Sequence, residues 1–304
     1  MTAYLLTDER GDAPQTFAKT SRPAIGLALG AGAARGFAHI GVLTRLVEAG
    51  FEPDVIAGTS VGALAGGCYA ADRLDALTEF ALSLNRRRIF ALMDFTWRGA
   101  GIITGERLAK LLENQLGQTR IEDLRIPFIS IATELVTGDE IWLRSGLLAP
   151  AIRASYALPG LFRPVRIGQQ WLIDGAVVNP TPVSACRALG ARLVIAVNLN
   201  ADAFTGTVIQ ASQEVSVADE QVHEPRPSLG AVMVAAFNIS QNQLSRSRLA
   251  GDPPDIRISP RTSDIGLFAF DKAEQAIAAG REAAERMLPD IEAAVLGLER
   301  NTGA

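Results

Sequence analysis

The chain has 304 residues, 48% of them hydrophobic, with 29 basic against 33 acidic side chains and a formal net charge of -4. That supplies apolar material for one large α/β domain or two small ones, and the mild acidity gives no general attraction for nucleic acid. Two cysteines, Cys68 and Cys186, stand in unrelated segments without metal-ligand spacing and read as buried thiols rather than a disulfide.

Residues 1–22 carry Asp8, Glu9, Arg10 and Asp12 where a secretion signal needs an apolar core, so they read as a flexible lead-in. Residues 24–29 are a short apolar run ending in glycines, the pattern of a buried parallel strand. A helix is predicted over 34–49, with Phe37, Ile40, Leu43 and Val47 at helical spacing and Gly50 as its stop. A strand over 54–57 and one small-residue-rich helix over 61–84 complete a βαβα opening with a right-handed crossover. The uncharged stretch 55–71 is too glycine-rich for a bilayer-spanning helix and fits a buried strand, turn and helix.

Further on, a helix over 104–116 is expected to start on Thr104 as its N-cap. Strands are expected at 127–133, 140–144, 171–173 and 192–198, and a short helix at 182–189 ends at Gly190. Helices over 231–249 and 272–298 flank a strand at 255–258, leaving 299–304 as a tail. The alternation argues for one α/β domain over 23–298. Two segments break it. Residues 200–228 are polar and read as a loop or insertion. Residues 85–101 set Arg86, Arg87 and Arg88 beside Ile89, Phe90, Phe95 and Trp97. They read either as a solvated helix end with a core-packing turn, or as a patch in peripheral contact with a membrane surface.

Gly58-Thr59-Ser60-Val61-Gly62 is a G-x-S-x-G pattern between an apolar strand and a helix. A serine on such a bend is forced out from the sheet edge, and the helix N-terminus beneath it favours negative charge. The bland alternative is a serine that caps a core helix. Upstream, Gly30-Ala31-Gly32-Ala33-Ala34-Arg35-Gly36 joins the first strand to the first helix. Its glycines let the amides of Gly30, Gly32, Ala33 and Ala34 face a site and hold an oxyanion, an effect of about 2.7–4 kcal/mol per donor. A dinucleotide fingerprint fits poorly, because Arg35 stands where the third glycine belongs and no acid ends the next strand. Arg35 has three readings: a brace for the loop, a grip on an anionic substrate, or a structural ion pair.

A serine nucleophile needs a proton acceptor. His39 sits inside the first helix and reads as a locally hydrogen-bonded residue; His223 follows Ser60 and Asp174 in the order serine, acid, histidine, but lies in the polar segment without apolar anchors. Asp174 closes a strand and precedes Gly175, so its carboxylate emerges where sites form in open α/β sheets. A carboxylate with a pKa near 3.9 is a weak base, and desolvation would strengthen it.

These blocks resemble the patatin-like phospholipase family. The glycine loop with Arg35 and Gly36 is similar to that family's oxyanion motif with one extra alanine; Gly58 to Gly62 resembles its nucleophile elbow, and Asp174-Gly175-Ala176 its D-G-[AG] motif. Arg153-Ala154-Ser155-Tyr156-Ala157-Leu158-Pro159-Gly160 resembles a fourth block near its active site. The resemblance implies a three-layer α/β/α sandwich with a mostly parallel sheet, a Ser60–Asp174 dyad and no metal or cofactor. It further implies hydrolysis of lipid acyl esters. With neither a signal nor a bilayer-spanning stretch expected, the chain reads as cytoplasmic, and the segment with Arg86, Arg87, Arg88, Phe90 and Trp97 leaves peripheral membrane contact open. An esterase with His223 as base, an acyltransferase and a non-catalytic lipid-binding module remain the alternatives.

Overall fold

Short runs of small and β-branched apolar residues build the centre of the molecule. The computed structural model describes residues 24–92, 94, 101–200 and 229–302; the expected lead-in, Trp97, His223 and the insertion beyond Asn200 lie outside them. Strand β1 (Ile25–Leu29) leads through a 3-10 turn (Ala33–Phe37) into helix α1 (Ala38–Glu48), then β2 (Val55–Thr59), α2 (Val61–Ala70), α3 (Leu74–Leu82) and α4 (Arg86–Leu92). Next come β3 (Gly101–Ile103), α5 (Glu106–Leu116), β4 (Phe128–Glu134), β5 (Glu140–Leu143), α6 (Leu148–Ser155), β6 (Gly160–Phe162), β7 (Val165–Ile167) and β8 (Gln170–Asp174). Helix α7 (Val183–Ala188), β9 (Leu193–Val197), α8 (Leu229–Gly251), β10 (Ile256–Ile258) and α9 (Ala273–Thr302) finish the chain.

Strands β10, β9, β1, β2 and β4 run parallel in that order, while β5, β8 and β7 extend the sheet by antiparallel pairing. Alternation along the buried strands divides their side chains between two faces. Ile25, Leu27 and Leu29 of β1 join Ile56, Leu193, Ile195 and Val197 against α1, α2 and α9. Ala28, Val55, Ala57, Val194 and Ala196 face the other way, onto Val183, Ala185 and Cys186 of α7. The result is a three-layer α/β/α sandwich with a mostly parallel sheet. Cys68 and Cys186 are both free and buried.

Several expected elements are corrected. The helix predicted over 61–84 is two helices, because the chain turns at Asp72 with φ 55 and Arg73 N–H bonds back to Cys68 O at 2.7 Å. Thr104 is not the cap of α5. The Asp94 carboxylate takes that role from ten residues upstream, accepting from the Thr104 hydroxyl and from the Gly105 and Glu106 amides, both at 2.9 Å. The tail expected from 299 is helical as far as Thr302. Helix α4 forms within the ambiguous basic segment, with Arg86, Arg87, Arg88 and Phe90 exposed.

Candidate active site

The sheet's pairing register alone brings the two chemically distinctive residues together. At Ile131, strand β4 is flanked by Thr59 of β2 and Trp142 of β5; at Ala132 its partners are Asp174 of β8 and Ile141 of β5. Because β5 holds one edge throughout, β2 and β8 must lie end to end on the other, pointing at each other. Ser60 follows the last paired residue of β2, and Asp174 is the last of β8. They meet.

Ser60 Oγ donates to Asp174 Oδ2 at 2.7 Å, and both residues are buried, at 8% and 2% exposure. Ser60 has φ 58 and ψ -123, a left-handed backbone costing about 1–3 kcal/mol for a residue with a side chain. The bend is possible because its flanks are glycine. A Cβ on Gly58 would lie 2.5 Å from Gly62 O, and one on Gly62 only 2.1 Å from Leu29 O. Gly36 and Gly175 serve close approach as well: added carbons there would strike the Val61 side chain at 2.0 Å and Ile131 O at 2.3 Å. Helix α2 starts directly after Ser60, so its N-terminal field favours an anion at the serine.

Asp174 is held on every side. Its Oδ1 accepts the Ala176 amide at 2.8 Å, its N–H donates to Ala157 O at 2.9 Å, and its carbonyl accepts the Thr133 hydroxyl at 2.9 Å. Burial pushes its carboxyl up to about 7, and the Ala176 amide and Ser60 hydroxyl pull the other way. It is therefore a far stronger base than a solvated aspartate.

The glycine loop divides its amides. Gly30 N–H donates to Val197 O at 3.1 Å and Ala34 N–H to Leu267 O at 2.9 Å, so these two expected oxyanion donors are committed to the scaffold. The Gly32 and Ala33 amides have no hydrogen-bond partner among the described residues, and both residues line the cavity in front of Ser60. Ala33 holds a left-handed φ of 49. Arg35 braces the loop, its Nε donating to Ile265 O at 2.9 Å. His39 does the same from inside α1. Its Nε2 lies 2.7 Å from Gly30 O, and burial pushes its pKa down to about 4, so the ring is neutral and Nε2 carries the donated proton. The local hydrogen bond expected for His39 is thus a clamp on the glycine loop.

Ser155, at the end of α6, carries no signal of its own in the sequence beyond its place in the fourth block. Its buried Oγ accepts the Ser60 N–H at 2.8 Å. In front of Ser60 and Asp174 opens a cavity of about 410 Å³. Its walls are mainly apolar, including Phe37, Leu64, Leu84, Leu108, Phe162 and Phe237. Such a space suits a hydrocarbon chain.

The sequence profile that describes patatin-like phospholipases matches residues 27–187, a span holding the glycine loop, Ser60 and Asp174. The chain belongs to the patatin-like phospholipase family. An uncharacterized NTE family protein of Mycobacterium tuberculosis is 32% identical to this patatin-like chain over 336 aligned positions, covering 90% of the chain and 93% of that protein. A second such protein from the same organism is 31% identical across 88% of this chain and 47% of its own length. A patatin-like phospholipase domain-containing protein of Caenorhabditis elegans is 37% identical over 62% of this chain and 14% of its own length. Among solved structures, VipD of Legionella pneumophila aligns with a TM-score of 0.49 and 14% identity, covering 89% of this chain and 67% of that one. Membership of this family implies lipid acyl hydrolysis.

Proposed function

We propose that this patatin-like chain hydrolyses carboxylic esters of lipids through a Ser60–Asp174 dyad and an acyl-enzyme. The observation that carries the reading is the 2.7 Å hydrogen bond from Ser60 Oγ to a buried carboxylate at the mouth of an apolar cavity.

In the first half-reaction Ser60 Oγ bonds to the ester carbonyl carbon while its proton passes to Asp174 Oδ2. The carbonyl oxygen becomes an oxyanion, received by the Gly32 and Ala33 amides and the N-terminal end of α2. Collapse breaks the bond to the alcohol, which leaves with the proton from Asp174. In the second half a water gives its proton to Asp174 and attacks the acyl carbon. The fatty acid departs, and the proton returns to Ser60. Asp174 can carry both transfers because its pKa lies near neutrality, where an acid–base catalyst is most useful. The acyl chain lies among Leu64, Leu84, Phe162 and Phe237.

A fluorophosphonate probe tests the reading directly. Labelling at Ser60, loss of label in Ser60→Ala and loss of p-nitrophenyl ester hydrolysis in Asp174→Asn, with circular dichroism unchanged, are expected. Full turnover by Asp174→Asn together with inactivity of His223→Ala would replace the dyad by a triad.

A further inference from the structure

Three elements stand half inside the cavity and half outside the protein. Ile89 and Leu92 of α4 line the cavity, while Arg86, Arg87, Arg88 and Phe90 of the same helix are exposed, Phe90 to 69%. Val234 and Phe237 of α8 also line it, and the preceding Val232 and Met233 are 47% and 50% exposed. Phe268 both lines the cavity and remains on the surface. Scattered exposed apolar side chains are ordinary, but these gather beside one opening that leads to Ser60.

Charge adds a second, independent feature. The chain as a whole is acidic, at -4, yet this rim carries three consecutive arginines. Arg86 reaches Asp271 at 3.6 Å while staying 94% exposed, and Arg88 lies over the Phe80 ring at 5.6 Å. Arg87 is exposed between them. A chain with a small net negative charge offers an anionic surface no general attraction, so this arginine cluster favours one orientation of approach.

We infer that α4, with Val232, Met233 and Phe268, is a docking face for an anionic lipid bilayer. Apolar tips enter the boundary between headgroups and acyl chains, and the arginines stay at headgroup level. The cavity then opens against the bilayer, so an acyl chain can pass from lipid to the Ser60 site without crossing water. A flat protein partner would not need the rim to surround an acyl-sized opening.

Vesicle co-sedimentation tests the face apart from the chemistry, with the full chain and Ser60→Ala compared. Both are expected to bind vesicles of equimolar phosphatidylcholine and phosphatidylglycerol, to ignore pure phosphatidylcholine, and to release as salt screens the charges. Removing one charge near such a surface weakens partition about fivefold, so Arg87→Ala should lose about fivefold and Arg87→Glu about 25-fold. Met233→Ser, on a different element, should weaken binding as well. Hydrolysis of soluble p-nitrophenyl butyrate should not change in these variants. Equal binding to neutral and anionic vesicles, or unaltered binding by Arg87→Glu, would overturn the inference. So would a dimer in solution that Arg87→Glu dissolves without any vesicle binding. An active enzyme that ignores all vesicles would sink the docking face and leave the Ser60 reading intact.

Discussion

The Oγ of Ser155 accepts the backbone N–H of Ser60 at 2.8 Å, so the amide of the central serine is tied to α6. Two consequences follow for the site. That amide is occupied and is not an oxyanion donor, and the left-handed bend at Ser60 is fixed from a helix that precedes β8 rather than from α2 alone.

Ser155→Ala removes the acceptor and leaves a buried amide unpaired, a loss of about 1–3 kcal/mol. We expect a lower Tm and a kcat about tenfold down for each 1.4 kcal/mol that reaches the transition state, with KM little changed. Urea unfolding and steady-state kinetics on a soluble ester measure the two parts. An unaltered kcat beside a lowered Tm would make Ser155 structural only.

On the proposed mechanism, Asp174 sets the pH profile. As a base it must be ionised, so kcat/KM should rise to a plateau through one ionisation near pH 7, matching its carboxyl at about 7. A profile already flat from pH 5 upward would show that the buried carboxyl does not take the proton.

The same shift has a sign in stability. Unfolded, this aspartate titrates near 3.9, and folded at about 7. Between those values the folded chain keeps a proton that the unfolded chain gives up, so stability is fullest below about pH 4 and falls as pH rises toward 7. Asp174→Asn, which cannot ionise, should therefore gain in Tm relative to the parent, more at pH 8 than at pH 5. Calorimetry at the two pH values decides it.

His39 should matter through its proton and not through titration in the working range. His39→Leu strands the buried Gly30 carbonyl, at about 1–3 kcal/mol, and should lower kcat while leaving the pH midpoint near 7. His39→Gln, which can return an N–H to that carbonyl, should recover part of the rate.

Gly62→Ala and Gly297→Ala separate packing from propensity. At Gly62 the new carbon meets the Leu29 carbonyl at 2.1 Å, a backbone atom that cannot swing aside, so the elbow should fail and the label at Ser60 vanish. At Gly297 in α9 nothing lies within 4 Å, and alanine should stabilise the helix by up to about 1 kcal/mol.

Much of this arrangement was legible in the sequence because it is local. The apolar runs of β1, β2, β4 and β9, and the glycines around Ser60, announce themselves within a few residues. Strand β8 is legible as the apolar run 171–173, but helix α6 and strand β7 are not, since eight helical and three extended residues carry too little periodicity to distinguish them from loop. The break at Asp72 depends on a left-handed residue that is not glycine, and small alanine-rich helices run together on paper. The glycine loop looked like four equivalent donors. Which amides stay open is decided by Val197 and Leu267, remote in the chain, and no spacing rule reports such partners. The Asp94 cap was missed for the same reason.

One strand sets where the two halves of the site stand. Thr59 is seated on Ile131 and Asp174 on Ala132, so the spacing between serine and acid is a property of β4 and not of the long chain joining them. Loops between residues 60 and 174 that do not touch the site could lengthen, shorten or be exchanged with little effect on the chemistry, whereas Ser155 and Ala157, which bond Ser60 and Asp174, could not. A one-step slip of β4 would instead present its opposite set of side chains and move both partners off their marks at once. The cavity wall, drawn from helices α2, α4, α5 and α8 as well as from loops, can therefore change without disturbing that single ruler.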